Sequence, residues 1–154
     1  MTQLDISKIT PRLFLGAAPT NLDEHKRELQ LREAFELGIG LVVDCRKGTD
    51  DSALWQPHGV TYLNLGVEDA GDPLPQWYFS DGIEHIHEHL ALHDSNVLVH
   101  CEFGAARSPA LMLAVLLTDG VPLSEAQNQI LTSRDQATSA YFADAAEWYD
   151  WYTS

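Results

Sequence analysis

The residues with the most chemistry lie in one segment, VLVHCEFGAARS, running from Val97 to Ser108. An apolar, β-branched run ends on Cys101, Arg107 follows, and a second apolar run begins at once. A strand ending at the cysteine and a helix starting near the arginine force a tight turn between them. Such a turn curls its backbone N–H groups around a point near the sulfur, and the helix adds its positive end. Nests of this kind bind phosphate-like anions. Gly104 permits the φ angles a tight cradle needs, and Arg107 can offer a planar fork to two oxygens of one anion. The same field favours thiolate over thiol: cysteines at helix N-termini fall from about 8.5 to roughly 3.5–7.5. A low-pKa sulfur in an anion cradle is a nucleophile aimed at phosphorus. The plain alternative is a buried strand-end cysteine with a surface arginine nearby. The strand before it, the glycine within, His100 just before and Ser108 just after weigh against that alternative.

The elements that must position this segment are readable from periodicity. Residues 8–16 read as a first strand, and acceptor side chains around Thr20 signal a helix start. That helix runs to about residue 37, with Leu29, Leu31, Phe35 and Leu37 among its apolar positions, and Gly38 and Gly40 break it. Residues 41–44 are a buried-strand pattern, 46–58 are polar and turn-rich, and 60–66 alternate as a strand does. A loop over 67–75 holds two of its prolines close together. Phe79, Ile83, Ile86 and Leu90 then mark one helical face. Residues 96–101 form a second buried-strand pattern, an apolar helix follows Ser108 up to Gly120, and Ser124 to about Ile130 is another helix. Tyr141, Ala145, Trp148 and Tyr152 form a core-facing stripe. Strands alternating with helices predict an α/β fold: a central, mostly parallel four- to five-stranded sheet flanked by helices on both faces.

The 154 residues fit a single domain over 1–154. Nine basic against 23 acidic residues give a net charge of −14, which excludes polyanionic partners such as nucleic acid or an anionic membrane surface. Two cysteines make no disulfide framework. No run approaches the roughly 20 apolar residues of a membrane span, and the first residues lack the pattern of a signal peptide. A cytoplasmic location is expected.

The nine residues His100-Cys-Glu-Phe-Gly-Ala-Ala-Arg-Ser108 resemble the His-Cys-x-x-Gly-x-x-Arg-Ser/Thr signature of the protein tyrosine phosphatase superfamily, and the layout resembles its dual-specificity branch. Residues 9–16, 38–44 and 108–111 are similar to that branch more loosely. The resemblance implies that Cys101 attacks phosphorus to form a phosphocysteine. It implies that Arg107 and the amides of Glu102, Phe103, Gly104, Ala105 and Ala106 hold the phosphoryl oxygens. Ser108 would hydrogen-bond the sulfur and help it leave, and His100 would brace the loop. A general acid must protonate the leaving oxygen, and in this branch it sits on a loop upstream of the cysteine. The 67–75 loop offers Asp69, whose spacing fits better, with Asp72 as the alternative. Some members of the family trap the nucleophile in a reversible disulfide, which makes Cys45 a candidate redox partner. A buried small hydrophobe is the plain alternative for Cys45. The substrate is then a phosphorylated protein or a small phosphomonoester, with no cofactor and no metal, handled by a monomer.

Within the loop, Glu102 is acidic and Arg107 is the one cation, which with the overall charge points to a mono-phosphorylated ester, such as a phosphotyrosine peptide with basic flanks. His85, His89 and His93 share helical spacing beside His87 and could ligate zinc or nickel, but a solvated face is the better reading. Two other functions compete. The residues His-Cys-Glu-Phe also open the loop of rhodanese-like phosphatases and resemble that of sulfurtransferases; the length of chain after Arg107 and the 67–75 aspartate loop speak against this. A phosphate-binding module without catalysis would lose the cysteine, the arginine or the acid, and all three are present.

Overall fold

The computed structural model describes residues 4–154. Its framework is one five-stranded sheet in the order β1-β2-β5-β3-β4. The segment read as a first strand is instead a hairpin. β1 (Ile6–Thr10) and β2 (Leu13–Ala17) pair antiparallel. Pro11 lacks an N–H for a ladder and sits where the chain turns back. The Thr10 hydroxyl accepts from the Leu13 amide at 3.1 Å to close the turn.

The remaining strands are parallel. β3 (Ile39–Arg46), β4 (Thr61–Val67) and β5 (Asn96–Cys101) are separated by helical crossovers, as parallel strands require. β5 lies between β2 and β3 and is buried almost throughout. The two-residue period of a strand sorts its side chains. Val97, Val99 and Cys101 face one layer, together with Leu41, Val43 and Cys45 of β3. Leu98 faces the other layer beside Val42.

The first layer comprises α3 (Gln76–Leu92), α4 (Arg107–Thr118), α5 (Leu123–Ser133) and α6 (Phe142–Tyr152). Residues 108–117 of α4 are buried all round, which explains why that helix has no polar stripe in the sequence. The second layer is thinner. α1 (Glu24–Glu36) turns Gln30, Leu31 and Ala34 inward; of the apolar positions named above, Leu31 is buried, Leu29 and Phe35 are half-buried and Leu37 is exposed. Gly38, at φ 75°, ends α1, whereas Gly40 lies within β3, where a side chain would collide with Ser95. The polar segment 46–58 hides a further short helix, α2 (Ser52–Trp55), which buries Trp55 completely. Truncating such a residue costs about 3–5 kcal/mol.

In α6, Ala145 and Trp148 are buried but Tyr152 is half exposed, stacked on Trp148 at 4.6 Å. No helix among the described residues is long and apolar enough to cross a membrane.

Candidate active site

The site forms at the carboxyl end of β5, where open parallel sheets place their ligands. Strand alternation delivers His100 and Cys101 there on opposite faces, both buried. The loop 102–106 then turns into α4. Its carbonyls are engaged from outside: Glu102 accepts from the Ala18 amide at 3.1 Å, and Ala105 accepts from the Thr138 amide at 2.8 Å and hydroxyl at 2.9 Å. Between them, Arg134 donates from Nη2 to the Phe103 carbonyl and from Nε to the Gly104 carbonyl, each at 2.9 Å. In a trans peptide the N–H points opposite to the C=O. Four outward carbonyls therefore turn the N–H groups of residues 103–106 inward. Gly104 has φ 66°, and a Cβ there would lie 2.5 Å from the Gly16 carbonyl oxygen. Only glycine fits.

The Cys101 sulfur lies 3.1 Å from the Ser108 hydroxyl. Burial alone would raise its pKa. Hydrogen bonds from the Ser108 hydroxyl and from the Ser108 and Ala106 amides, with the Arg107 charge, outweigh burial and lower it. Arg107 donates from Nη1 to the Val67 carbonyl at 3.0 Å. Its Nε is buried and has no hydrogen-bond partner among the described residues. A buried donor of that kind is costly unless a ligand oxygen completes it.

His100 joins its Nδ1 to the Cys101 carbonyl at 3.0 Å, so Nδ1 carries the proton. Burial pushes its pKa down despite the nearby Asp44 carboxylate. The neutral imidazole is therefore the favoured form. Behind it, the buried Asp44 accepts from Arg46 and from the Tyr62 hydroxyl at 2.6 Å. Arg46 also reaches Asp51 at 2.7 Å and Glu102 at 3.4 Å.

The 67–75 loop arches beside this cradle. Asp69 accepts a hydrogen bond from the Tyr141 hydroxyl at 2.7 Å, and that oxygen accepts from the Gly71 amide at 3.0 Å. Asp72 is exposed, without such a tether, in a slot lined by Lys47, Val67 and Trp77. Cys45 is a free, buried thiol, as is Cys101. Asp44 pairs in register with His100, so Cys45 and Cys101 are the next residues on adjacent strands and face the same layer. Burial and the neighbouring Cys101 raise the Cys45 pKa well above its usual value.

Arg107 is the one cation within the loop, but two arginines outside it reach the loop: Arg134 holds two of its carbonyls and Arg46 meets Glu102. The four clustered histidines do not share one solvated face. His89 is buried and bonded to Ser95 at 2.9 Å, His85 binds the Asp81 carbonyl, and His87 approaches Thr118 and Asp119. No group of three metal-ligating side chains occurs among the described residues. Arg134, Asp5 and Tyr141 are site residues that sequence reasoning missed. The clue for Arg134 was slight, a lone arginine just after an amphipathic helix.

Residues 21–150 match the family model for the dual specificity phosphatase catalytic domain. Dual specificity protein phosphatase 13B of Homo sapiens is 29% identical over 143 residues, covering 89% of this chain and 68% of that protein. Dual specificity protein phosphatase 26 of Homo sapiens is 28% identical over 114 residues, covering 71% of this chain; the chain spans only 50% of that relative's length. The crystal structure of human DUSP28 superposes with a TM-score of 0.78 at 19% identity, covering 96% of this chain and 97% of that one. The rhodanese-like alternative is not favoured.

Proposed function

The chain belongs to the dual specificity phosphatase family and carries the catalytic domain of a cysteine-dependent protein phosphatase, and on that premise we propose how its own residues divide the work. Cys101 is the nucleophile. Its thiolate attacks phosphorus, forming the P–S bond as the P–O bond to the leaving group breaks, and Asp69 gives its proton to the departing oxygen. Water then attacks the phosphocysteine while Asp69 takes the proton back. Phosphate leaves, and the Cys101 thiolate is restored with the Ser108 hydroxyl hydrogen-bonded to it. Arg107 and the amides of Glu102, Phe103, Gly104, Ala105 and Ala106 hold the equatorial oxygens and stabilise their charge.

The observation that carries this reading is the clamped loop: outward carbonyls, inward amides and a low-pKa sulfur at one focus. The hydrogen bond from Tyr141 supports Asp69 over Asp72 as the acid, because it fixes one carboxylate and leaves the other untethered. Cys45, beside the nucleophile, is the proposed redox partner. The substrate is a mono-phosphorylated ester, best a phosphotyrosine peptide, and the enzyme acts as a cytoplasmic monomer without metal or cofactor.

The test is hydrolysis of p-nitrophenyl phosphate and a phosphotyrosine peptide from pH 4 to 8 with EDTA present. Cys101→Ser should abolish both activities. Asp69→Asn should lower turnover of the phosphotyrosine peptide by about 10²–10⁴-fold. It should lower nitrophenyl turnover less, since nitrophenolate leaves without help. Full activity in Cys101→Ser, or an equal loss in Asp72→Asn alone, defeats the assignment.

A further inference from the structure

We propose that the slot beside the acid loop is a second subsite, which takes the side chain of an arginine close to the phosphorylated residue of a peptide substrate. The proposal rests on the phosphatase reading and narrows its substrate class. The slot has a volume of about 240 Å³, with Lys47, Val67, Asp72, Leu74 and Trp77 in its wall. Pockets for whole small molecules run to about 300–1,000 Å³, so this one suits a single long side chain. It adjoins the cradle through one residue: Val67 lines the slot, and its carbonyl accepts from Arg107. The slot is therefore placed to meet a residue near the phosphoryl group of a bound peptide.

The walls state the chemistry. Val67 and Leu74 are buried, and Trp77 is left 48% exposed at the mouth. Apolar walls and an indole cover the methylenes of a long basic side chain, and the indole attracts its cation. The charges are unevenly spent. Lys47 and Glu68 pair with each other at 3.4 Å, while Asp72 has no hydrogen bond or ion pair among the described residues. An unpaired carboxylate in a chain of net charge −14 selects a cation and repels a second phosphate. Arginine suits it better than lysine, because a guanidinium both stacks on an aromatic face and forks onto a carboxylate. On this account Asp72 is a recognition residue, distinct from the acid.

The experiment uses phosphotyrosine peptides in pairs, with arginine or neutral citrulline placed in turn at each of the three positions before and after the phosphotyrosine. Binding to Cys101→Ser is read by fluorescence anisotropy, which needs no turnover. At one position arginine should bind about fivefold to tenfold more tightly than citrulline. Adding Asp72→Asn should bring that ratio to about one, and Trp77→Ala should reduce it; both side chains are exposed, and melting curves check the fold. Equal affinity at every position overturns the proposal, as does a preference that Asp72→Asn leaves intact. Turnover by the wild type separates the two readings. Hydrolysis without any arginine preference removes the subsite alone. A preference in binding without hydrolysis keeps the subsite and removes the catalytic assignment.

Discussion

Replacing Arg134 with methionine should loosen the cradle although no atom of Arg134 need touch the phosphate. All five guanidinium N–H donors are in use: Nε on the Gly104 carbonyl, Nη2 on the Phe103 carbonyl and Asp5, and Nη1 on Asp5 and Ser7. Methionine keeps much of the volume and removes every donor. Two loop carbonyls then lose their partner, at about 1–3 kcal/mol each for a buried group. Asp5 is half exposed and rehydrates, so the ion pair itself adds little. The expected loss is about 3 kcal/mol, a large share of the roughly 5–15 kcal/mol that holds a domain together. For a chain of this size it lowers Tm by about 6–12 °C. The loop amides also lose their fixed direction, so kcat/KM for p-nitrophenyl phosphate should fall about 10–100-fold at temperatures where the variant is still folded. Urea titration and initial rates measure the two effects. Asp5→Asn, which keeps the carbonyl contacts, should do much less to either. A variant Arg134→Met with wild-type Tm and wild-type kcat/KM would refute the clamp.

Ser108→Ala removes the hydroxyl that stabilises the Cys101 thiolate, so the thiol pKa should rise. Iodoacetamide alkylation against pH should show its midpoint displaced upward, and an unmoved midpoint counts against the hydroxyl's part. Stability should fall on acidification, because burial, helped by the Arg46 charge, holds His100 neutral against the pull of the Asp44 and Asp51 carboxylates. The unfolded chain takes up that proton near the ordinary 6.5 while the folded chain resists it, so stability is full above this value and declines as pH drops below it. Asp44, also buried but held below its usual pKa by Arg46, His100 and Tyr62, adds a loss of the same sign at lower pH. Urea midpoints at pH 7, 6 and 5 should decrease in order and flatten in His100→Gln; a level series contradicts the argument. Mild peroxide should oxidise the Cys101 thiolate to a sulfenic acid, and the Cys45 sulfur then attacks the Cys101 sulfur, forming the S–S bond as the S–O bond breaks and water leaves. Mass spectrometry should then find a linked 45–101 peptide, with activity restored by thiol; no such peptide rules out the pairing.

Much of the cradle is legible in the sequence because its chemistry is local. Cys101, Gly104, Arg107 and Ser108 lie within eight consecutive positions, and strand, turn and helix follow from their own residues. The parallel sheet is legible for a similar reason, since β3 and β5 are short β-branched runs between helices. What supports the loop is not local. Asp5 and Arg134 are 129 positions apart, and each reads alone as a surface charge. Pro11, with no N–H for a ladder, marks the break between the two strands inside residues 8–16. The short α2 leaves little trace in the sequence, because a single tryptophan, with no apolar periodicity around it, supplies its burial. Asp69 and Asp72 differ in the tether from Tyr141, which lies on a remote segment and gives no signal in the loop itself.

The long span between Asp5 and Arg134 has a consequence for the order of assembly. Closing a loop of that length costs entropy, so the pair depends on the rest of the fold to bring its two partners together. A nascent chain that has emerged as far as Ser108 already carries every signature residue. It still lacks the guanidinium that holds the Phe103 and Gly104 carbonyls outward, and the Thr138 groups that hold the Ala105 carbonyl and so direct the Ala106 amide at the sulfur. Full activation of Cys101 therefore waits on a contact that joins the two ends of the chain. Until the α5 end of the chain has docked, the Cys101 thiol lacks part of the cradle that activates it.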